Sequence, residues 1–133
     1  MKEILSMSEW YIMEALWANN PLVLSEIVEA VGDNLTWDSR TYGTYVGRLC
    51  KKGFIGSKQI RGSRSFHYFP LVSREECIRN ESRHIHSKMS RDNAMLFMAY
   101  MLKESGLDPE NADDLKTLID RLSDSFEPEQ EDK

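Results

Sequence analysis

Ser39, Arg40, Thr41, Thr44, Arg48 and Lys51 fall on one side of a predicted helix, away from its apolar positions Tyr42, Val46, Leu49 and Cys50. Hydroxyl, guanidinium and ammonium groups gathered on one face suit phosphate oxygens and the edges of bases. Arginine can bond guanine through two parallel donors, and threonine can meet a base acceptor or a thymine methyl. Further along, Lys58, Arg61, Gly62, Ser63 and Arg64 make a basic tip suited to phosphates irrespective of sequence. Lys52 joins Lys51 in that phosphate-binding set. Gly43 and Gly47 each cost a helix about 1 kcal/mol relative to Ala. Four apart, they leave a smooth strip that would admit a close backbone or helix, or they are two weak positions in a packed helix.

The rest of the chain sharpens this picture by contrast. The 133 residues carry a net charge of -5, unevenly spread. Residues 37–70 carry +6, between an N-terminal block of -5 and a C-terminal block of -6. A basic band of this kind is the electrostatic footprint of a polyanion-binding face, although an ordinary solvated surface would give the same count.

Other chemistry is thinner. Cys77, Glu81, His84 and Lys88 share one helical face, with His86 two residues beyond His84. Thiolate and imidazole suit zinc-like ions, but three ligands leave the site incomplete, and a solvated helix face is the plainer reading. His67 falls in the basic hairpin, as a packing residue or a phosphate contact. There is no glycine-rich phosphate loop and no Gly-x-Ser-x-Gly, so an enzyme is not expected, nor is a cofactor or a bound metal. Two cysteines do not make a disulfide framework. The longest apolar run, Ala94 to Leu102, is nine residues, against about 20 for a membrane span. The opening MKEILSMSEW lacks the apolar core of an export signal. A cytoplasmic protein with no membrane partner is expected.

The elements that must position the basic face are legible from caps and periodicity. Ser6 and Glu9 form a capping box, and Trp10, Met13 and Leu16/Trp17 follow at helical spacing to about Ala18. A second helix, about Ser25 to Val31, buries Ile27, Val28 and Val31 and ends at Gly32. The third, about Ser39 to Lys52, ends at Gly53. The period then changes: Phe54 to Ile60 and Ser65 to Phe69 read as two strands joined by Arg61-Gly62-Ser63, with Pro70 closing the second. Three helices and a basic-tipped hairpin are the order of a winged helix-turn-helix. Ser73 and Glu76 form a second capping box, opening a long helical region to about Ser105. Gly106 ends it, and a last helix opens at Asp108-Pro109 with proline at its first position.

Met89, Met95, Leu96, Phe97, Met98, Tyr100, Met101 and Leu102 make a helix that is apolar almost all round, and such a helix must be buried on most sides. The last helix contributes one stripe, with Leu115, Leu118, Ile119 and Leu122. One amphipathic helix cannot cover the first alone, so a second copy related by a two-fold axis is the expected cover. An intrachain core or a ligand pocket adapted by its methionines are the alternatives.

Ser8-Glu9-Trp10 with Met13 and Leu16-Trp17, then Trp37, Thr41, Thr44, Arg48-Leu49, Lys51-Lys52-Gly53-Phe54-Ile55 and Tyr68-Phe69-Pro70-Leu71-Val72 resemble the penicillinase repressor family. These are the winged-helix repressors of the BlaI/MecI/CopY group, and the resemblance spans roughly residues 5–124. It implies a homodimer on a palindromic operator in double-stranded DNA, the third helix in the major groove and the C-terminal helices forming the dimer. Two features of the family are missing. No cysteine follows Cys77, so the copper-binding Cys-x-Cys pairs are absent. No Asn-Phe pair occurs, whereas the β-lactam-responsive branch is inactivated by cleavage at one.

The expected protein is thus mainly α with a small β-wing. Residues 1–72 form an N-terminal winged helix-turn-helix that binds DNA, 73–124 a C-terminal helical dimerisation segment, and 125–133 a disordered acidic tail. Ser39, Arg40, Thr41, Thr44 and Arg48 are the expected groove contacts. Lys51, Lys52, Lys58, Arg61 and Arg64 are the expected phosphate contacts. Rival readings are a winged-helix protein–protein module, since the fold does not dictate function, and a metal- or ligand-sensing regulator on the same dimer.

Overall fold

The computed structural model describes residues 3–106, 110 and 112–125. The expected proline start of the last helix and most of the acidic tail lie outside these residues. Helix α1 (Met7–Ala18) opens on the reciprocal capping box. The Ser6 hydroxyl accepts from the Glu9 N–H at 3.2 Å, and the Glu9 carboxylate accepts from the Ser6 N–H at 2.9 Å. Its buried apolar residues are Ile12, Met13, Ala15 and Leu16, so Ile12 joins the core in place of the expected tryptophans. Trp10 and Trp17 are half-buried, their rings 5.7 Å apart. The Trp17 indole donates to the Val72 carbonyl at 2.9 Å. An all-round apolar helix is the consequence of being covered on two sides.

Helix α2 (Leu24–Val31) buries Ile27 and Val31 and leaves Val28 half-buried. Glu26 reaches back to accept from the Val23 N–H at 3.0 Å. Helix α3 (Ser39–Lys51) is capped by Asp38, whose carboxylate accepts from the Thr41 N–H at 2.8 Å. Tyr42, Val46 and Leu49 form its fully buried stripe, with Val46 and Leu49 each worth about 1.5–3 kcal/mol in apolar burial.

Strands β1 (Ile55–Gln59) and β2 (Phe66–Pro70) form an antiparallel pair with Ile55 opposite Pro70 and Lys58 opposite His67. Pro70 is thus the last paired residue of β2 and does not lie beyond it. The loop before α2 adds a bridge from Leu22 to Tyr68 through two backbone bonds of 2.9 and 2.8 Å.

Helix α4 (Arg74–Lys88) starts at the expected Ser73/Glu76 capping box. The single long helix predicted from there to Ser105 is instead two. Ser90 caps a new helix, α5 (Arg91–Glu104), by accepting from the Asn93 N–H at 3.3 Å. A final helix, α6, covers Ala112–Ser125.

Compactness divides the chain at Lys88/Met89, later than the boundary expected near Leu71–Ser73. The reason is that α4 is bound into the first unit. Glu81 accepts from the Leu5 N–H at 3.1 Å and the Trp10 indole at 3.4 Å, and Arg74 meets Glu14 through two 3.0 Å bonds. The first unit closes around Ile12, Met13, Leu16, Ile27, Tyr42, Val46, Leu49, Phe54 and Ile55, all essentially inaccessible. In the second unit α5 has no buried residue. Met95, Leu96, Met98, Tyr100 and Met101 are more than half exposed, and Leu118, Ile119 and Leu122 of α6 are 40–47% exposed. Met89, Phe97 and Leu115 are half-buried.

Candidate nucleic-acid interface

Burial of the Tyr42/Val46/Leu49 stripe turns the opposite face of α3 to solvent. Ser39, Arg40, Thr44, Gly47, Arg48 and Lys51 are exposed there, and Thr41 is half-buried. The Thr44 hydroxyl donates to the Arg40 carbonyl at 3.2 Å, which leaves its oxygen as an acceptor. The Thr41 N–H, aided by the Thr41 hydroxyl, holds the Asp38 carboxyl below its usual range, so the cap stays ionised at the positive end of the helix. Arg48 and Lys51 occupy the last turn, where cations suit the negative end.

A Cβ on Gly47 would meet nothing within 4 Å, and one on Gly43 would make ordinary contact with Leu24 at 3.7 Å. Neither glycine is needed for packing among the described residues.

The wing carries further cations, Lys58, Arg61 and Arg64, all exposed. Its tip is a turn closed by the Ser63 N–H on the Ile60 carbonyl at 2.9 Å. Gly62, at φ +88°, takes the left-handed position such a turn requires. The Ser63 hydroxyl and the Gln59 amide each tie one more backbone group, at 3.1 and 3.2 Å, so Arg61 and Arg64 project from a braced loop. Below it the Phe69 ring covers Gly56, where an added Cβ would lie 2.5 Å from the ring. The Lys58 ammonium stands 5.7 Å from that ring's centre. His67, half-buried, faces Lys58 across the ladder.

Arg40, Arg48, Lys51, Lys58, Arg61 and Arg64 have no carboxylate within 4 Å among the described residues. Lys52 departs from the set in which the sequence placed it. Its ammonium lies 3.1 Å from Glu9 and 3.6 Å from Glu3. Burial would raise the Glu9 carboxyl, but the Ser6 N–H, the Lys52 ammonium and the Ser6 hydroxyl outweigh it and hold the group below its usual range. Lys52 is therefore spent on a carboxylate only 3% exposed, and is half-buried itself.

Sequence reasoning also passed over Tyr45. Its ring stacks on Trp37 with centroids 4.3 Å apart and planes 26° apart, and the Arg48 guanidinium carbon lies 5.0 Å from its centre. The three-residue spacing of Tyr45 and Arg48 on a helix was the available signal.

The Cys77/Glu81/His84 set does not assemble. Cys77 is buried, and Glu81 is held by Leu5 and Trp10. Among the described residues no group of three or more metal-ligating side chains forms, and no helix is long and apolar enough to cross a membrane.

The chain is also similar to known proteins. The penicillinase repressor family model matches residues 5–121. The methicillin resistance regulatory protein MecI of Mammaliicoccus sciuri is 22% identical over 117 residues, covering 88% of this chain and 94% of that protein. The solution structure of the DNA-binding domain of the repressor BlaI is 27% identical. It covers 57% of this chain and 93% of that one, with a TM-score of 0.48. The same figures describe the likeness to the monomeric form of Bacillus licheniformis BlaI in complex with the blaP half-operator. With the family's pattern running from Leu5 to Arg121, the chain belongs to the penicillinase repressor family, a family of transcriptional repressors and not of enzymes.

Proposed function

We propose that this repressor binds a palindromic operator as a homodimer in the cytoplasm, with α3 in the major groove and the wing on the phosphate backbone. The observation that carries the reading is the set of six exposed cations, three on α3 and three on the wing, that pair with no carboxylate of the described residues. Arg40 and Arg48 with Ser39, Thr41 and Thr44 read base edges, while Lys51, Lys58, Arg61 and Arg64 hold phosphates. The first compact unit is the DNA-binding part, and α5 with α6 forms the dimer. Five large apolar side chains of α5, each more than half exposed, favour a second copy as their cover, because contiguous apolar surface of that kind marks an association site. Two-fold symmetry then places two α3 helices about one helical turn, or a multiple, apart on the duplex.

The test is fluorescence anisotropy of the purified chain against DNA from upstream of its own gene, with scrambled DNA as control, over a salt series. Specific binding that weakens steeply with salt supports the reading. Equal, weak binding to both duplexes, or none, rejects operator binding at that promoter. Met98→Glu with Met101→Glu is expected to convert a sedimenting dimer to a monomer and to weaken operator binding. A dimer that survives both changes would remove α5 from the interface.

A further inference from the structure

Arg48 differs from the other cations of its face in having a built support. The fully buried Tyr42 ring meets Trp37 edge-on at 5.6 Å, Trp37 stacks on Tyr45 at 4.3 Å, and the Arg48 guanidinium lies over Tyr45 at 5.0 Å. The series runs from the core to an exposed guanidinium, through two half-buried rings. Arg40 has no such ring among the described residues.

We infer that Trp37 and Tyr45 are positioning residues that make Arg48 the principal sequence-reading side chain of the operator interface; the inference rests on the DNA-binding function proposed above. A ring attracts a guanidinium through its face. The N–H donors of Arg48 lie in the guanidinium plane, so a contact through the face of the ring does not use them, and they can form the paired bonds that guanine O6 and N7 accept. No carboxylate of the described residues competes for them. A long side chain restrained before binding loses less freedom on contact. Arg40, unsupported by a ring, meets its base edge with less restraint beforehand. Discrimination between sequences therefore depends on two aromatic residues that need not touch DNA.

The full-length chain would first be used to enrich sequences from a randomised 30-base-pair duplex library. Affinities are then measured for the enriched duplex and for a scrambled duplex of equal composition. Tyr45→Leu is expected to weaken the enriched duplex about two- to fivefold, the size of an exposed cation–ring contact, while binding to scrambled DNA stays unchanged. Tyr45→Phe, which keeps the ring, should behave as wild type. Tyr45→Met keeps apolar bulk without a ring and should repeat the loss if Tyr45→Leu proves too unstable to compare. In an Arg48→Ala background the Tyr45 changes should have no further effect, since the cycle isolates the coupling of the two residues. Equal losses on both duplexes, or the same loss with and without Arg48, would show a merely structural ring and overturn the inference, leaving DNA binding intact. Failure of wild type to enrich any sequence would reject the DNA reading itself, and this role with it.

Discussion

Lys51 and Lys52 are neighbours in sequence and opposites in use. Successive residues of a helix point about 100° apart. Lys51 joins the exposed face, whereas Lys52 turns inward to the buried Glu9. Arg74 is likewise paired, at the surface, with two 3.0 Å bonds to Glu14 and its guanidinium 5.3 Å from the Trp17 ring. These two cations join the start of α1 to the end of α3, and α1 to α4. The cations of the exposed face of α3 and of the wing have no carboxylate among the described residues and serve no internal contact between helices. Net charge counts both sets alike. Only the carboxylate beside each cation separates those that hold the fold from those left for a polyanion.

That separation can be broken from either side, and the largest effect is expected at the exposed face. Arg40→Ala with Arg48→Ala should cost about 1–3 kcal/mol of specific DNA binding for each base-reading arginine, measured by anisotropy on an enriched duplex. The melting temperature should barely move, because exposed substitutions of this kind stay within about 0.5 kcal/mol. Lys52→Met should do the reverse. It leaves Glu9 buried without its cation at a cost of about 1–3 kcal/mol in chemical denaturation, with the salt dependence of DNA binding unchanged.

The Glu9 carboxyl titrates below its ordinary range in the folded chain. Its contribution is therefore complete above the unfolded carboxyl's pKa and is lost as pH falls through the folded value. Glu9→Gln should flatten the acid limb of the stability profile. A profile as steep as wild type would place the acid sensitivity on other groups.

Gly47→Ala should stabilise α3 by up to about 1 kcal/mol, since nothing among the described residues crowds that position, and should weaken DNA binding through the methyl added within the proposed reading face. A gain in stability with full affinity would mean that no partner approaches there. Least of all, Arg74→Met should lower the melting temperature only slightly, as both partners are half exposed and such pairs contribute little.

Local signals were legible because each is written within four residues. The Ser6/Glu9 and Ser73/Glu76 boxes, the Gly62 turn and the alternation of period at Phe54 all appear in the structure where the sequence placed them. Ser90 escaped because Asn93, and not Glu or Gln, stands three residues on, so no box announced the new helix. Glu9 was legible as a cap but not as the partner of Lys52, 43 residues away. Ile12 was missed because α1 is apolar on nearly every side, and a periodic stripe cannot be read from a helix covered twice. The third helix was visible as a basic face. The Trp37–Tyr45 support beneath Arg48 was not, because it joins a residue before the helix to residues on it. The division at Met89 depended on bonds from α4 back to Leu5, Trp10 and Glu14, which no composition shift reveals.

The bridge between Leu22 and Tyr68 has a consequence for the wing as a sheet. Two strands present two open edges, and an open edge is a template for pairing with another chain. On β2 one edge is taken by β1, and at Tyr68 the other is taken by Leu22, in both directions. A neighbouring molecule therefore finds the middle of β2 already occupied, and only the short β1, with Lys58 on it, is left to approach. Copies crowded along one duplex can lie wing beside wing without their backbones joining into a shared sheet across β2.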